Sequence, residues 1–324
     1  MKVIQFDEYG GPEVLKLIDK DIPKVKKHEV LIKVERIGVN FADTARREGE
    51  YVVPTELPFI PGSEVAGIVE KVGSEVENII EGQRVLASIE SGGYAEYATV
   101  NERMLVPLPD NVSFEDAVVL PVQGQSAYHI LKTMGKLSKG ETVLVHSASG
   151  GVGLLAIQLA KLFGAGKVIA TASTSEKRDL AKSMGADYLI DYTKDNWENE
   201  LETITEGNGV DLALEMVGGS VFHKTRKSLA EFGRLVVFGV ASGEQVKFYP
   251  TSLMGKNQAV IGFFLPQIMK RTELYKKGME DLLSYVDSGK IKLTIGGTYS
   301  LDEAKKVHQL FQDRKTMGKI VLKP

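Results

Sequence analysis

"LVHSASGGVGLLAIQLAKLFGA" runs from Leu144 to Ala165 and sets an apolar run, a cluster of glycines and a helix-like stretch end to end. The run that leads into it, Glu141–His146 (ETVLVH), is short and rich in branched residues, as a buried strand is. After the glycines, LLAIQLAKLFG repeats apolar residues at helical spacing. Between the two lie Ala148, Ser149, Gly150, Gly151, Val152 and Gly153. Strand, glycine turn and helix in that order form the setting in which backbone N–H groups and a helix N-terminus face a pyrophosphate. Against the pattern G-x-G-x-x-G, Ala148 takes the first glycine's place, Gly150 is the second and Gly153 the third. The second is the one whose missing side chain lets a phosphate approach. A lone match of this kind is explained equally well by a tight turn. Here a second strand arrives on schedule after the helix, which favours a dinucleotide.

That second strand decides which dinucleotide. It reads VIATASTSEKRDLA (Val168–Ala181), with Ser173 where an NAD site usually carries an acid for the ribose 2′-hydroxyl. Lys177 and Arg178 follow shortly after. A carboxylate repels a 2′-phosphate, whereas Ser and Lys hydrogen-bond it. Two or three charge-assisted bonds of about 1.5 kcal/mol each favour NADPH over NADH by on the order of 100-fold. The plainer alternative makes Lys177 and Arg178 surface residues of a helix.

Working outward, the first hundred or so residues are β-rich. Glu29–Val39 (EVLIKVERIGV), Glu64–Gly73 (EVAGIVEKVG), Gly82–Ala87 and Gly92–Val100 are short runs of branched residues bounded by Gly and Pro. Near Ser113 the texture changes: Ser113 followed by Glu115 and Asp116 marks a helix start. Apolar strands then alternate with helical patterns through RLVVFGV, as βαβ units of a parallel sheet do. From about Ala259 the chain returns to an apolar run, a long amphipathic stretch and a final GKIVLKP strand. The expected fold is α/β: a doubly wound parallel sheet of Rossmann type over residues 119–259, inserted in a β-rich domain built from 1–118 and 260–324.

The bulk properties exclude several function classes. Hydrophobic residues at 43% and charged residues at 26% over 324 positions give a globular chain with room for two domains. A net charge of -3 supplies no electrostatic footprint for nucleic acid. No apolar stretch approaches membrane length, and the opening MKVIQFDEYGG lacks the apolar core of a signal peptide. There is no cysteine, which removes thiolate nucleophiles, disulfides and Cys-based metal sites and fits a reducing cytoplasm.

Several stretches together, RIGVNFADTARREG, LPFIPGSEVAGIVEKVG, LPVQGQSAYHIL, SASGGVG, FGRLVVFG and GKIVLKP, give the chain a specific resemblance. Over essentially its whole length it resembles the medium-chain dehydrogenase/reductases, in their zinc-independent, quinone oxidoreductase-like branch. The resemblance implies a GroES-like catalytic domain beside the Rossmann domain, and a homodimer that pairs Rossmann sheets edge to edge. It places Ser149, Gly150, Gly151 and Val152 at the cofactor's phosphates, and Ser173, Lys177 and Tyr192 at the 2′-phosphate of NADPH. Asn40 and Ser126 fall at the nicotinamide end, and Phe238 and Gly239 under its ribose. Phe263, Phe264 and Lys319 occupy later cofactor-contacting segments.

Zinc-dependent relatives carry a Cys and a His where this chain has Asn40 and Ser63, neither of them a convincing zinc ligand. The five histidines, His28, His129, His146, His223 and His308, are scattered without an i, i+4 pair. No metal site is expected. Without a Lewis acid, alcohol oxidation is disfavoured and a conjugated acceptor is the easier substrate. The expected reaction is hydride transfer from nicotinamide C4 to a quinone or an α,β-unsaturated carbonyl. An enoyl-thioester reductase and a noncatalytic NADPH-binding protein are the alternatives. The candidate catalytic residues are Asn40, to orient the nicotinamide or the acceptor, and Tyr51, whose hydroxyl either donates to the acceptor oxygen or belongs to a ring that merely covers the site. Asp43 and Arg47, at i, i+4, are expected to pair with each other. Tyr128 either approaches the nicotinamide or packs between elements.

Overall fold

Eleven consecutive residues, Glu29–Val39, form the longest strand of the computed structural model, which describes residues 1–324. Its buried runs, Val30–Ile32 and Ile37–Val39, fit its central place, with strands on both edges. Leu31, Ile32 and Lys33 pair antiparallel with Tyr97–Thr99, and Ile37–Val39 pair with Ile320–Leu322, so one edge of the strand takes two partners in succession. Glu64–Val72 pairs antiparallel with most of its length, and two register shifts there bend the sheet. Arg84–Ser88 and Leu105–Pro107 extend the sheet beyond Glu64–Val72, and Ile295–Ser300 pairs parallel with Lys319–Lys323 at the other end. Phe6, Ile32, Ile37, Val65, Val85 and Tyr94 share one apolar cluster with Leu301, Val307 and Leu322. That shared core is why both chain ends belong to one unit, Met1–Val122 with Leu293–Pro324.

The second unit, Gln123–Lys292, holds a six-stranded, wholly parallel sheet. Across it the order is Tyr188–Ile190, Lys167–Thr171, Thr142–Val145, Val210–Glu215, Leu229–Val237 and Ala259–Gly262. The chain builds outward from Thr142–Val145 in one direction, then returns to build the other way from Val210–Glu215. This is the reversal of a doubly wound sheet. Leu144, Ile169, Ala213 and Leu235 from its central strands are buried together with Trp197 and Phe222.

Two details of the expected organisation change. The return to the first unit, expected at residue 260, comes at Leu293. Ala259–Gly262 pairs with Arg234–Val237 as the last parallel strand. Helix Thr272–Asp287 stays with that unit too, since Gln125 Nε2 donates to the Tyr275 carbonyl at 2.9 Å and the Tyr128 hydroxyl to Asp281 at 2.6 Å. The earlier boundary, expected at 118, falls after Val122, whose N–H donates to Glu64 Oε2 at 2.9 Å. Ser113 begins its helix as expected, its Oγ accepting from the Asp116 N–H at 3.0 Å.

Candidate functional site

In the second unit, strand Thr142–Val145 runs into a turn held by its own backbone: Ala148 N–H donates to the Thr171 carbonyl at 3.1 Å and Gly150 N–H to the Ser147 carbonyl at 2.9 Å. Helix Gly151–Leu162 starts directly after Gly150, and no side chain caps its first turn. The three glycines have separate reasons. A Cβ on Gly153 would stand 2.5 Å from the Ser147 carbonyl oxygen and 2.7 Å from Ala148 Cα, so this glycine lets the helix close on the turn. A Cβ on Gly151 would overlap the Gln123 amide. At Gly150 a Cβ would meet only the Ser147 oxygen, at 3.3 Å, so the backbone there is open to an approaching group. Uncapped N–H donors beside an open glycine suit a pyrophosphate.

The other residues named for this unit fall at one edge of the sheet. Ser173 lies just past strand Lys167–Thr171 and Tyr192 past Tyr188–Ile190; Ala172 N–H donates to the Ile190 carbonyl, which ties the two strand ends together. Phe238 and Gly239 follow Leu229–Val237, and Phe263 and Phe264 follow Ala259–Gly262. All of them, with the glycine turn, therefore stand outside the carboxyl ends of parallel strands, where doubly wound sheets bind ligands. Ser126 is the exception, buried in helix Gln125–His129.

The two basic residues after Ser173 separate. Arg178 donates to the Ala172 carbonyl at 3.1 Å and pairs with Asp191 at 3.0 Å, so it braces the turn from within. Lys177 lies half-buried in the first turn of helix Ser175–Ser183, its N–H on the Thr174 hydroxyl. Tyr128 packs: its ring meets His129 and Phe163 edge to face and its hydroxyl is held by Asp281.

In the first unit, Asn40 ends strand Glu29–Val39 and precedes helix Phe41–Glu48. Its Nδ2 donates to Glu64 at 2.7 Å, and its Oδ1 accepts from Lys319 Nζ at 3.0 Å. Lys319 also pairs with Glu64, both side chains being fully buried. Burial lowers the Lys319 ammonium from its ordinary value and the Glu64 charge opposes that. The pair forces a glycine at position 38, where a Cβ would overlap the Glu64 carboxylate. Lys319, read from resemblance as a cofactor contact, thus has its ammonium on Asn40 and Glu64.

The expected Asp43–Arg47 pair does not form, because each finds better partners. Asp43 accepts from Asn40 N–H at 2.9 Å, from Gly62 N–H at 3.3 Å and from the Tyr94 hydroxyl at 3.3 Å. Burial pushes its carboxyl up to about 6, against those N–H groups and the Lys319 charge. Arg47 donates to the Gly10 carbonyl, to Glu48 at 2.7 Å and to His308 Nδ1 at 3.3 Å. Arginine only donates, so His308 keeps its proton on Nε2, facing the Tyr94 oxygen at 3.2 Å. Burial, then the Arg47 charge, lowers His308 to about 3 and holds it neutral.

Tyr51 lies in the loop after this helix, half-buried. The guanidinium of Arg46 stands 4.1 Å from its ring centroid. Burial raises the Tyr51 hydroxyl above its ordinary value while the hydrogen-bonded Arg46 charge opposes, so the phenol keeps its proton near neutral pH. Sequence reasoning missed Arg46, Gln123 and Glu215. Glu215, at the end of strand Val210–Glu215, accepts from the Val217 and Gly218 N–H groups at 2.7 and 3.0 Å. No group of three or more His, Asp or Glu side chains lies together in a way that would hold a metal ion.

Residues 26–110 match the family model described as "Alcohol dehydrogenase GroES-like domain", and residues 151–284 the one described as "Zinc-binding dehydrogenase". The chain is 35% identical to the quinone oxidoreductase of Rattus norvegicus, covering 99% of this chain and 97% of that one. Among solved structures, a mycobacterial protein complexed with NADPH superposes with a TM-score of 0.95 at 38% identity, over 100% of both chains. The Escherichia coli quinone oxidoreductase complexed with NADPH gives 0.95 at 32% identity, again over 100% of both.

Proposed function

The chain belongs to the quinone oxidoreductase-like branch of the medium-chain dehydrogenase/reductases and is an oxidoreductase, and from that premise we propose that it reduces quinones or α,β-unsaturated carbonyls with NADPH, without a catalytic zinc. The observation that carries the cofactor half is the row of named residues outside the carboxyl ends of the parallel strands, centred on an uncapped helix beside an open Gly150. Bound NADPH supplies the hydride from its nicotinamide C4.

The chain's own residues then have the following work. The N–H groups of Gly151 and Val152, with Ser149, hold the pyrophosphate beside Gly150. Ser173, Lys177 and Tyr192 hold the 2′-phosphate. Phe238, Gly239, Phe263 and Phe264 line the ribose side, and Ser126 and Asn40 orient the nicotinamide. Lys319 acts through Asn40 as a positioning residue: by accepting Nδ2–H and donating to Oδ1, Glu64 and Lys319 fix which way the amide points. Removing one partner of that buried pair strands a charge, at a cost of about 3–5 kcal/mol. The acceptor takes a hydride on carbon and a proton, and Tyr51, kept protonated, donates a hydrogen bond to its oxygen as charge develops there. Donor placement and exclusion of water supply the rate, with no metal ligand among Asn40 and Ser63.

The assembly is a homodimer through the Rossmann sheet. Ala259–Gly262 pairs on one side only and leaves a row of unpaired backbone groups on its outer edge. The cysteine-free composition fits the reducing cytoplasm.

Initial rates of NADPH oxidation with a quinone, an enone, an enoyl thioester and a saturated aldehyde test the reading. Turnover of the quinone or the enone with the aldehyde inert is the expected result. A preference for the thioester reassigns the acceptor, and silence across the panel with NADPH still bound overturns the enzymatic half.

A further inference from the structure

Beside Tyr51 stands a cation that the reduction as described does not use. The Arg46 guanidinium is gripped by two aromatic rings, its carbon 4.1 Å from the centroid of Tyr51 and 5.3 Å from that of Phe59. Its Nη1 lies 3.5 Å from the Thr55 hydroxyl, so the same loop holds it at a third point. No carboxylate neutralises it. Glu48 is engaged by Arg47, and Asp43 is surrounded by the N–H groups of Asn40 and Gly62 and the Tyr94 hydroxyl. The helix and the loop that follows it expose Phe41, Val53, Leu57 and, at 77% exposure, Val52; Glu50 and Glu56 are exposed in the same segment and form no ion pair with Arg46. A half-buried guanidinium with no paired carboxylate, a phenol beside it and exposed apolar side chains in the same segment together match a molecule that is flat or greasy, carries an acceptor oxygen and bears a negative charge.

Resting on the proposed reduction, we infer that Arg46 is a specificity residue that reads an anionic group on the acceptor, so that quinones or enones bearing a carboxylate or sulfonate are preferred over their neutral counterparts. The planar guanidinium offers paired N–H donors to such a group. The aromatic clamp removes most of the rotamer freedom that an arginine would otherwise lose on binding. Desolvation on acceptor binding strengthens the attraction, since the groups the cation meets, the Tyr51, Thr55 and Phe59 side chains, carry no opposing charge.

The rival account is that Arg46 only stiffens the loop, in which case every acceptor suffers equally when it is removed. The test compares kcat/KM for 1,4-naphthoquinone and 1,4-naphthoquinone-2-sulfonate in the wild type, Arg46→Lys and Arg46→Met, each checked for an intact melting transition, with Arg46→Gln replacing Met if that variant does not fold. The expected result is a fall of about tenfold in the sulfonate-to-neutral ratio in Arg46→Met, largely kept in Arg46→Lys, with the wild-type ratio declining as salt is added. A ratio that does not change, with both quinones affected in parallel, overturns the inference. If the wild type turns over neither quinone, the acceptor panel decides the proposed reduction and binding decides the inference separately. Calorimetry with 2-naphthalenesulfonate then reads affinity for the wild type and Arg46→Met. Binding lost in the variant supports the anion site, and equal or absent binding in both overturns it.

Discussion

Asn40 stands where zinc-dependent members of the family carry a cysteine, and its neighbours convert the position to different work. An amide that donates to Glu64 and accepts from Lys319 is oriented by a buried ion pair. Asn40 was proposed as a site residue from its place in the GVN stretch, which the resemblance supplies. Its partnership with Lys319 was not, since 279 positions separate the two and no local spacing records such a contact. Arg46 was hidden for a related reason: one arginine among many on a helix becomes distinctive only when two rings from a later loop close on it. At the 2′-phosphate end the sequence offered Lys177 and Arg178 together, and only the Arg178–Asp191 pair shows that one of them braces the turn. In the proposed reading, cofactor choice therefore rests on Ser173 and Lys177. Lys177→Ala is expected to raise the Kd for NADPH by about tenfold, the worth of one charge-assisted hydrogen bond, and to leave the Kd for NADH nearly unaltered. Fluorescence titration with both cofactors reads this; a parallel loss for NADPH and NADH assigns Lys177 a structural role only.

Elements with strong periodicity were readable in advance. Strand Glu29–Val39 and the strand–turn–helix around Gly150 lie where their patterns put them, because runs of branched residues and glycine placement are local signals. Strand Tyr188–Ile190 and helix Glu198–Ile204 went unread: one is three residues long and the other offers Leu201 as its only fully buried side chain. Ala259–Gly262 was assigned to the wrong unit, since a short apolar run does not say which sheet it joins. Its position as an edge strand carries the proposed assembly. Sedimentation velocity at micromolar protein is expected to give a dimer, and Val260→Pro to shift it toward monomer: the Phe263 N–H donates inward to the Val237 carbonyl, so by alternation the Val260 N–H faces the open edge. A wild-type protein that sediments as a monomer across that range contradicts edge pairing.

At the scale of the whole molecule, the two chain ends make one β-rich unit and the middle makes the parallel sheet, and the chemistry divides in the same way. The sheet's carboxyl edge gathers the groups suited to a phosphorylated cofactor. The β-rich unit supplies a fixed amide, a protonated phenol and an unneutralised guanidinium. The most direct test follows the hydrogen itself. Chelator-dialysed enzyme is supplied with NADPH deuterated at C4, each stereoisomer in turn, and an enone that it turns over, and the product is read by NMR. One isomer should deliver a single deuterium to the β-carbon, and with unlabelled NADPH the dialysed enzyme should turn over as fast as the undialysed one. Product free of label from both isomers, or activity that vanishes on dialysis and returns with zinc, would contradict metal-free hydride transfer.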